Sequence, residues 1–257
     1  MTTILVIGAT GSIGRHVVGE ATASELQVRA VTRDRGRARR MLGDVDLVEG
    51  DLTNPASVAP ALVGVDAAIL THGGDSAPER VYYGAVAALL DALGDRRLPI
   101  ALMSSINVTR ASGPYTDLMN WKRRGERLLR MSGQPYTIVR PGWFDNISGT
   151  VQRLVLQQGD TRAQGAVRCD HVAQALLAAV LHPSAQGRTV EAFSIPGDPV
   201  SDWSALFAAT HPDTPGSPDG VLDPDNLPLR AEPDRVRADI ARFRGPQPTP
   251  STRPAHD

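Results

Sequence analysis

Cysteine, surplus charge and long apolar runs are all scarce in this sequence. Among 257 residues the single cysteine, Cys169, cannot form an internal disulfide, and Lys+Arg 27 nearly balance Asp+Glu 28. The chain therefore lacks the basic excess that nucleic-acid binding requires. It contains no apolar run of about 18 residues, and its first residues lead into a strand rather than a signal peptide. These absences predict a cytoplasmic protein that binds neither nucleic acid nor membrane.

Lysine is rarer than any other basic residue, because Lys122 is the only lysine and the remaining basic residues are arginine. This bias, with frequent alanine and proline, is typical of a high-GC coding background. A lysine retained in such a chain indicates a need for a compact ammonium rather than a planar guanidinium group. We interpret Lys122 as functional; an ordinary surface lysine is the alternative.

Strands and helices alternate along most of the chain. Apolar runs predict strands at 3–7, 27–32, 45–49, 65–70, 98–103 and 135–140, and the segments 12–24, 35–41, 55–62, 79–93 and 116–131 predict helices. Asp170 is expected to cap one more helix, and 189–195 to form a last strand. This alternation predicts an α/β fold with a Rossmann-type, doubly wound parallel sheet, whose ligand lies at the carboxyl ends of the strands.

A glycine-rich loop, Gly8-Ala-Thr-Gly-Ser-Ile-Gly14, follows the first strand directly. Glycines there permit a tight turn and let backbone N–H groups approach a pyrophosphate, which a helix N-terminus also attracts. The spacing is GxxGxxG instead of the dehydrogenase GxGxxG, and a simple connecting turn is the alternative. Because the loop stands between a predicted strand and a predicted helix, we predict that it binds a dinucleotide through Gly8, Thr10, Gly11, Ser12, Ile13 and Gly14.

The end of the second strand is where the adenosine ribose of a dinucleotide is recognised. Arg33 stands there, followed by Asp34 and two further arginines. Arginine accommodates the 2′-phosphate of NADP, whereas an acidic residue favours the 2′-hydroxyl of NAD, so we favour NADP(H) and leave NAD(H) open. Asp51 and Leu52, after the third strand, are expected to bracket the adenine, unless Asp51 merely caps the next helix.

Taken together, these residues resemble a known family. The loop GATGSIG, Thr32-Arg33, Asp51-Leu52, Lys122 with Glu126, the segment 132–142 and Asp170-His-Val-Ala are similar to the atypical short-chain dehydrogenase/reductases of the NmrA-like, NAD(P)H-binding group. The resemblance covers about residues 1–197. That group includes reductases, isomerases, quinone reductases and non-catalytic redox sensors, so the resemblance implies the fold and the dinucleotide more strongly than the reaction.

Catalytic members of the family carry Tyr-x-x-x-Lys on the helix after the fifth strand, where the lysine holds the nicotinamide ribose and the tyrosine protonates the product. Here Lys122 is present, but Leu118 stands where the tyrosine is expected. Tyr115 could substitute if the helix start is irregular, but packing at the rim is the favoured interpretation. Asn120 on the same helix is expected to face the substrate.

Residues at the ends of the other strands complete the predicted site. The resemblance places Ser104 and Ser105 beside a substrate oxygen, although capping a turn is the alternative. Thr71, His72 and Gly73 are expected near the nicotinamide, with His72 more readily interpreted as a hydrogen-bonded loop histidine. We also assign Pro141 to the cofactor site. The six histidines show no metal-ligand spacing, so no metal is expected. From the resemblance, no flavin is expected either.

Aromatic residues make up only 4% of the chain, yet Trp143 and Phe144 are adjacent in the loop after the sixth strand. With Asn146, they are expected to line a pocket for a flat, apolar substrate; anchoring the loop to the core is the alternative.

The missing tyrosine restricts the chemistry. A simple ketone yields an alkoxide whose conjugate acid has a pKa of roughly 16, whereas a quinone yields a phenolate with a pKa of about 10, which solvent or serine can protonate. We therefore predict an NAD(P)H-dependent oxidoreductase acting on a quinone-like or polycyclic aromatic substrate. Similar proteins serve aromatic polyketide (antibiotic) pathways, some as the reducing component of a quinone hydroxylation system. The alternative is a non-catalytic dinucleotide sensor with a protein partner; sugar-nucleotide epimerisation ranks last.

Proline and aspartate become frequent beyond Gly197. We predict an NAD(P)-binding Rossmann domain over residues 1–197, a small helical appendage over 198–245 and a flexible tail over 246–257. A homodimer or a partner enzyme is left open.

Overall fold

Ten strands and eight helices are found in the computed structural model, which describes residues 1–74, 76–144 and 152–244. The strands are β1 (Thr3–Ile7), β2 (Gln27–Thr32), β3 (Asp46–Glu49), β4 (Ala67–Leu70), β5 (Ile100–Met103), β6 (Tyr136–Pro141), β7 (Trp143–Phe144), β8 (Arg153–Gln157), β9 (Ala166–Val167) and β10 (Arg188–Ile195). The helices are α1 (Gly14–Ala23), α2 (Arg35–Leu42), α3 (Pro55–Val58), α4 (Ala85–Leu93), α5 (Thr116–Met131), α6 (Cys169–Leu181), α7 (Trp203–Ala208) and α8 (Asp234–Phe243). None of the helices in the described ranges combines the length and apolar character needed to cross a membrane.

The main sheet has the order β3-β2-β1-β4-β5-β6-β10-β8. All its neighbouring strands run parallel except β8, which pairs antiparallel with β10 at the edge. The predicted Rossmann-type sheet is therefore confirmed. The sequence analysis did not predict β8, nor the small parallel pair of β7 with β9.

Alternating side chains of β1 explain why helices cover both faces of the sheet. Ile4 and Val6 join the apolar cluster under α1 and α6, whereas Leu5 and Ile7 join the cluster under α4 and α5. Successive strand residues point to opposite faces, so an unbroken apolar run requires a cover on each side. This arrangement leaves the carboxyl ends of the central strands as the open edge.

Two predicted helix starts differ in the structure. Asp170 is not the N-cap of α6; Arg168 holds that position, and Asp170 lies in the first turn, 2.6 Å from the Arg168 guanidinium. The segment before α4 is a π-helical turn, Glu79–Gly84, rather than the start of a regular α-helix. A π-turn preserves a helical apolar pattern, so the sequence does not distinguish the two.

Four buried arginines, here called the arginine cluster, connect the sheet and α5 to the segment that follows Gly197. The cluster comprises Arg123, Arg127 and Arg130 of α5 and Arg140 of β6. Their guanidinium groups pair with Glu126 of α5 and with four carboxylates of residues 213–232, here called the acidic segment: Asp213, Asp219, Asp223 and Glu232. The division of the chain at residue 197 remains a prediction, but these contacts tie the two parts through buried charge.

Arg140 makes two hydrogen bonds to each of two carboxylates in this network. It donates to Glu126 at 2.6 and 3.0 Å and to Asp223 at 2.7 and 2.7 Å. Burial raises the pKa of the Asp223 carboxyl, but hydrogen bonds and charge from Arg140 outweigh burial and lower that pKa to about 2. The pKa of the Glu126 carboxyl is lowered against its burial in the same way, by Arg140 and Arg130. Both carboxylates are therefore ionised at neutral pH.

Glu191 of β10 lies beside this network but makes no hydrogen bond to Arg140. Its side chain is buried, Oε1 has no hydrogen-bond partner among the described residues, and Arg140 approaches only to 3.6 Å. Burial raises the pKa of the carboxyl to about 7, although the Arg140 charge opposes the shift. In the unfolded chain this carboxyl ionises near pH 4.5, whereas in the folded protein it stays protonated up to about pH 7. The stability of the folded state therefore falls as the pH rises from about 4.5 through about 7.

Glu191→Gln is therefore expected to gain stability over the wild type as the pH rises from 5 to 8, by about 3 kcal/mol in the free energy of unfolding. Urea unfolding at both pH values measures this difference. Glu49→Gln, which removes an exposed carboxylate, corrects for the general effect of losing one negative charge. A difference between Glu191→Gln and wild type that is the same at pH 5 and pH 8 would contradict the prediction.

Candidate active site

One cavity of about 490 Å³ opens at the carboxyl ends of β1, β4, β5 and β6. The predicted site residues that line it are Gly11, Ser12, Thr71, His72, Gly73, Ser104, Ser105, Lys122, Pro141, Trp143 and Phe144. A larger groove of about 810 Å³ lies beside α4, α5 and α8, and no predicted site residue lines it. Because ligands of open α/β sheets bind beyond the carboxyl ends of the strands, the smaller cavity is the candidate active site.

The glycine loop is closely packed against neighbouring backbone. Gly8 has φ +90°, and a Cβ atom on it would lie 2.6 Å from the backbone nitrogen of His72. A Cβ atom on Gly14 would lie only 2.2 Å from the carbonyl oxygen of Gly8. The loop therefore folds back on itself at the N-terminus of α1, the geometry that fits a dinucleotide pyrophosphate. Thr10 and Ile13 do not line the cavity, and Ile13 is buried in the core.

Lys122 lies at the centre of the cavity wall. Its ammonium group donates a hydrogen bond to Ser105 Oγ at 3.1 Å and lies 5.0 Å from the centre of the Tyr82 ring. Ser105 in turn contacts the sulfur of Met119 at 3.4 Å. An ammonium held by a serine and an aromatic face inside a cavity differs from an ordinary surface lysine, which was the alternative interpretation.

Two buried polar atoms in this cavity have no hydrogen-bond partner among the described residues: His72 Nδ1 and Ser104 Oγ. Burial lowers the pKa of His72 to about 4, and the Lys122 charge acts in the same direction, so the imidazole is neutral at pH 7. The interpretation of His72 as a fully hydrogen-bonded loop histidine is therefore wrong for Nδ1. Buried polar atoms are nearly always paired, so these two atoms are open to hydrogen bonds from water or from a ligand bound in the cavity.

Trp143 and Phe144 form β7 and remain 52% and 47% exposed. Side chains that anchor a loop to the core would be buried, so that alternative is wrong. Both rings line the cavity and offer a flat apolar wall. Asn146, predicted beside them, lies outside the described residues.

Two predicted residues of α5 are directed elsewhere. Asn120 does not line the cavity. It precedes Lys122 by two residues on α5, so the two side chains are separated by about 200° around the helix axis. Tyr115 is 63% exposed and lines a neighbouring cleft of about 360 Å³, which shares Met119 and Trp143 with the cavity. Neither Asn120 nor Tyr115 therefore lines the cavity with Lys122, and the exposure of Tyr115 agrees with packing at the rim.

The predicted adenosine end lies at the same sheet edge but outside the cavity. Arg33 is exposed, while Asp34 caps α2 by accepting the Arg37 backbone N–H at 2.8 Å. Asp51 does not cap α3, because Asn54 holds that position. Hydrogen bonds from Thr53 instead lower the pKa of the Asp51 carboxyl, and the positive charges of Arg80 and Arg33 lower it further. Leu52 is half-buried against the apolar cluster under α4 and α5.

Tyr82 is the main residue of the cavity that the sequence analysis missed. It belongs to the π-helical turn, and its ring centre lies 6.3 Å from that of His72 and 5.0 Å from the Lys122 ammonium nitrogen. The sequence carries no signal for it beyond the pair Tyr82-Tyr83 in a chain with few aromatics.

Comparison with known proteins agrees with this geometry. The profile of the NAD(P)H-binding family matches residues 8–183. Sanguinarine reductase of Eschscholzia californica is 22% identical over 80% of this chain and 95% of that protein. The NAD(P)H azoreductase of Xenophilus azovorans is 30% identical over 63% of this chain and 53% of that protein. Among solved structures, the oxidoreductase ylbE of Lactococcus lactis superposes with a TM-score of 0.68 at 19% identity, over 81% of this chain and 96% of that chain.

The similarity to the oxidoreductase ylbE shows the fold alone. The two proteins similar in sequence are a sanguinarine reductase and an NAD(P)H azoreductase. The family match covers most of the Rossmann sheet and the glycine loop. The chain therefore belongs to the NAD(P)H-binding family of atypical, NmrA-like short-chain dehydrogenases/reductases.

Proposed function

We propose that the protein is an NAD(P)H-dependent oxidoreductase that reduces a quinone-like or polycyclic aromatic substrate. The observation that carries this proposal is a cavity that combines an ammonium group and two unpartnered buried polar atoms with aromatic and thioether walls. Polar atoms of this kind suit a cofactor and a substrate oxygen, and the apolar walls suit a flat ring system. The reductases among the relatives support the reaction class.

The residues of this chain provide a place for each part of the cofactor. We assign the pyrophosphate to the loop from Gly8 to Gly14, the adenosine end to Arg33, with Asp51 and Leu52 at the adenine, and the nicotinamide to residues 71–73 and Pro141. Lys122 is assigned to the nicotinamide ribose. When bound, NAD(P)H supplies the hydride for reduction. Arg33 is exposed while Asp34 is engaged in capping α2, which favours NADPH over NADH.

The substrate class follows from the residue in the usual tyrosine position, Leu118. Without the Tyr-x-x-x-Lys pair on α5, the site suits a substrate whose reduced oxygen is weakly basic, such as the phenolate of a quinol with a pKa of about 10, which an ordinary hydroxyl group or solvent can protonate. We assign Ser104 and Ser105 to the substrate oxygen. The exposed faces of Trp143 and Phe144 are assigned to the ring system.

The neighbouring cleft supports a substrate larger than one ring. It adjoins the cavity through Met119 and Trp143, and Asn107, Arg110 and Tyr115 add polar groups to it. A polycyclic aromatic of the polyketide type extends from the cavity into this cleft. The same chemistry suits the reducing component of a quinone hydroxylation system, in which a partner enzyme uses the reduced product.

The test is oxidation of NADPH and NADH by a panel of naphthoquinones and anthraquinones, followed by absorbance, with wild type and Lys122→Met. We expect quinone-dependent oxidation that prefers NADPH. The variant is expected to lose about 100-fold in kcat/KM, because it lacks the charge that holds the ribose. Arg242→Met is the matched control, since it removes an exposed cation of α8 that pairs with Asp91 away from the cavity.

Two outcomes would contradict this proposal. Equal rates for wild type and Lys122→Met would exclude the role of Lys122. Tight NADPH binding without turnover of any acceptor would exclude the quinone reductase and favour a non-catalytic dinucleotide sensor.

A further inference from the structure

The ring of Tyr82 is the aromatic face beside the Lys122 ammonium. The ammonium nitrogen lies 5.0 Å from the ring centre, and the His72 ring centre lies 6.3 Å from it. All three side chains line the same cavity. A tyrosine is therefore present at this site, although it stands in the turn before α4 and not on α5.

The packing of α5 against the π-helical turn brings this tyrosine close to Lys122. A Cβ atom on Gly125 would lie only 2.7 Å from the carbonyl oxygen of Tyr82, so glycine is what permits the close approach of the two backbones. Gly125 follows Lys122 by three residues and lies on the same side of the helix. π-Turns occur frequently at functional sites because they reposition single side chains.

The hydroxyl group of Tyr82 is held by backbone. Gly74 donates its backbone N–H to the Tyr82 oxygen at 3.1 Å. Gly73 lies beside that oxygen, since a Cβ atom there would be in ordinary van der Waals contact with it at 3.4 Å. Because the oxygen accepts the amide hydrogen, its own O–H hydrogen can be donated to a further acceptor in the cavity.

We propose that Tyr82 donates the proton to the substrate oxygen, in place of the tyrosine that is missing at position 118; this inference rests on the proposed reductase function. A bound NAD(P)H would supply the hydride, while the Tyr82 O–H bond breaks and an O–H bond forms on the product oxygen. The Gly74 N–H donates to the oxygen that then carries the negative charge, and the Lys122 ammonium lies 5.0 Å from the centre of the ring. A proton from solvent then restores the tyrosine.

The activity test is Tyr82→Phe, which keeps the ring beside Lys122 and removes only the hydroxyl. We expect kcat to fall about 30-fold with unsubstituted naphthoquinone, and KM for NADPH to change little. A dichloro-naphthoquinone, whose product oxygen is less basic, is expected to show a defect several-fold smaller. A merely structural role would affect both quinones equally.

The matched control is Tyr83→Phe. Tyr83 is fully buried and donates its hydroxyl to Asp239 at 2.9 Å, so this variant removes a neighbouring hydroxyl that does not reach the cavity. Its kcat ratio between the two quinones is expected to equal that of the wild type.

A second measurement uses the protein without cofactor. Quenching of tryptophan fluorescence by a naphthol, which represents the reduced product, is expected to show affinity about 5-fold weaker in Tyr82→Phe than in wild type. Wild-type turnover of quinones with no defect in Tyr82→Phe would overturn the role of Tyr82 and leave the reductase function standing. If the wild type reduces no quinone, the proposed function fails, and equal naphthol affinities would overturn the Tyr82 assignment independently.

Discussion

Arg140→Leu is expected to destabilise the protein by about 3–5 kcal/mol in the free energy of unfolding, the largest stability effect predicted for a single substitution here. The guanidinium is fully buried and hydrogen-bonds Glu126 and Asp223, whose side chains are also buried. Removing the cation leaves two ionised carboxylates without their main partner in a low-dielectric environment, where burial strongly opposes charge. Urea denaturation at pH 7 measures the loss.

Arg39→Leu is the matched control, because Arg39 pairs with Asp44 at the surface. Its expected cost is at most about 1 kcal/mol. Acidification provides a second check. The Asp223 carboxyl has its pKa lowered to about 2 from 3.8, so its stabilisation is present above about pH 4 and is lost as the pH falls towards 2. A loss for Arg140→Leu no larger than that for Arg39→Leu would show that the buried network contributes little.

Gly14→Ala is expected to weaken NADPH binding about 100-fold and to destabilise the protein by about 1–3 kcal/mol. The new methyl group would lie 2.2 Å from the Gly8 oxygen and 2.7 Å from the Ala9 Cα atom. Both neighbours are backbone, so the loop itself has to move, and the N–H groups assigned to the pyrophosphate move with it. Calorimetric titration with NADPH and thermal unfolding measure the two effects.

Gly19→Ala, in the same helix, is the matched control because a Cβ atom there meets nothing within 4 Å. It is expected to stabilise α1 by about 0.5–1 kcal/mol and to leave NADPH affinity unchanged. Unaltered NADPH affinity in Gly14→Ala would argue against the glycine loop as the cofactor site, whatever its effect on folding.

Local patterns allowed most of the central sheet to be predicted. The run Thr3–Ile7 is apolar on both faces, and the amphipathic segment Thr116–Met131 matches α5 at both ends. Strand β8 was not predicted, because Arg153–Gln157 is short and its place is fixed by pairing with β10, more than 30 residues away. Register between distant segments is a property of tertiary structure that periodicity does not encode.

The same distinction applies to the candidate site. Ser104 and Trp143 follow strand ends, and the parallel sheet brings those positions to one edge. Lys122 of α5 was predicted instead from its being the only lysine and from the family resemblance. Tyr82 was missed because its place depends on a π-turn and on the close approach of Gly125, neither of which has a local signature. Asn120 was expected to face the substrate but does not line the cavity, because its position on α5 is rotated away from that of Lys122.

The arginine cluster also has a consequence for the order in which the chain is made. Synthesis proceeds from the N-terminus, so Arg123, Arg127, Arg130 and Arg140 leave the ribosome before the acidic segment, whose carboxylates lie 83 to 105 residues later in the hydrogen-bonded pairs with Arg123, Arg127 and Arg140. Until residue 232 has emerged, burying α5 against β6 leaves Arg123 and Arg127 without their counter-charges, whereas Arg130 and Arg140 already have Glu126. The nascent Rossmann sheet therefore completes its packing late, when its last acidic partners arrive.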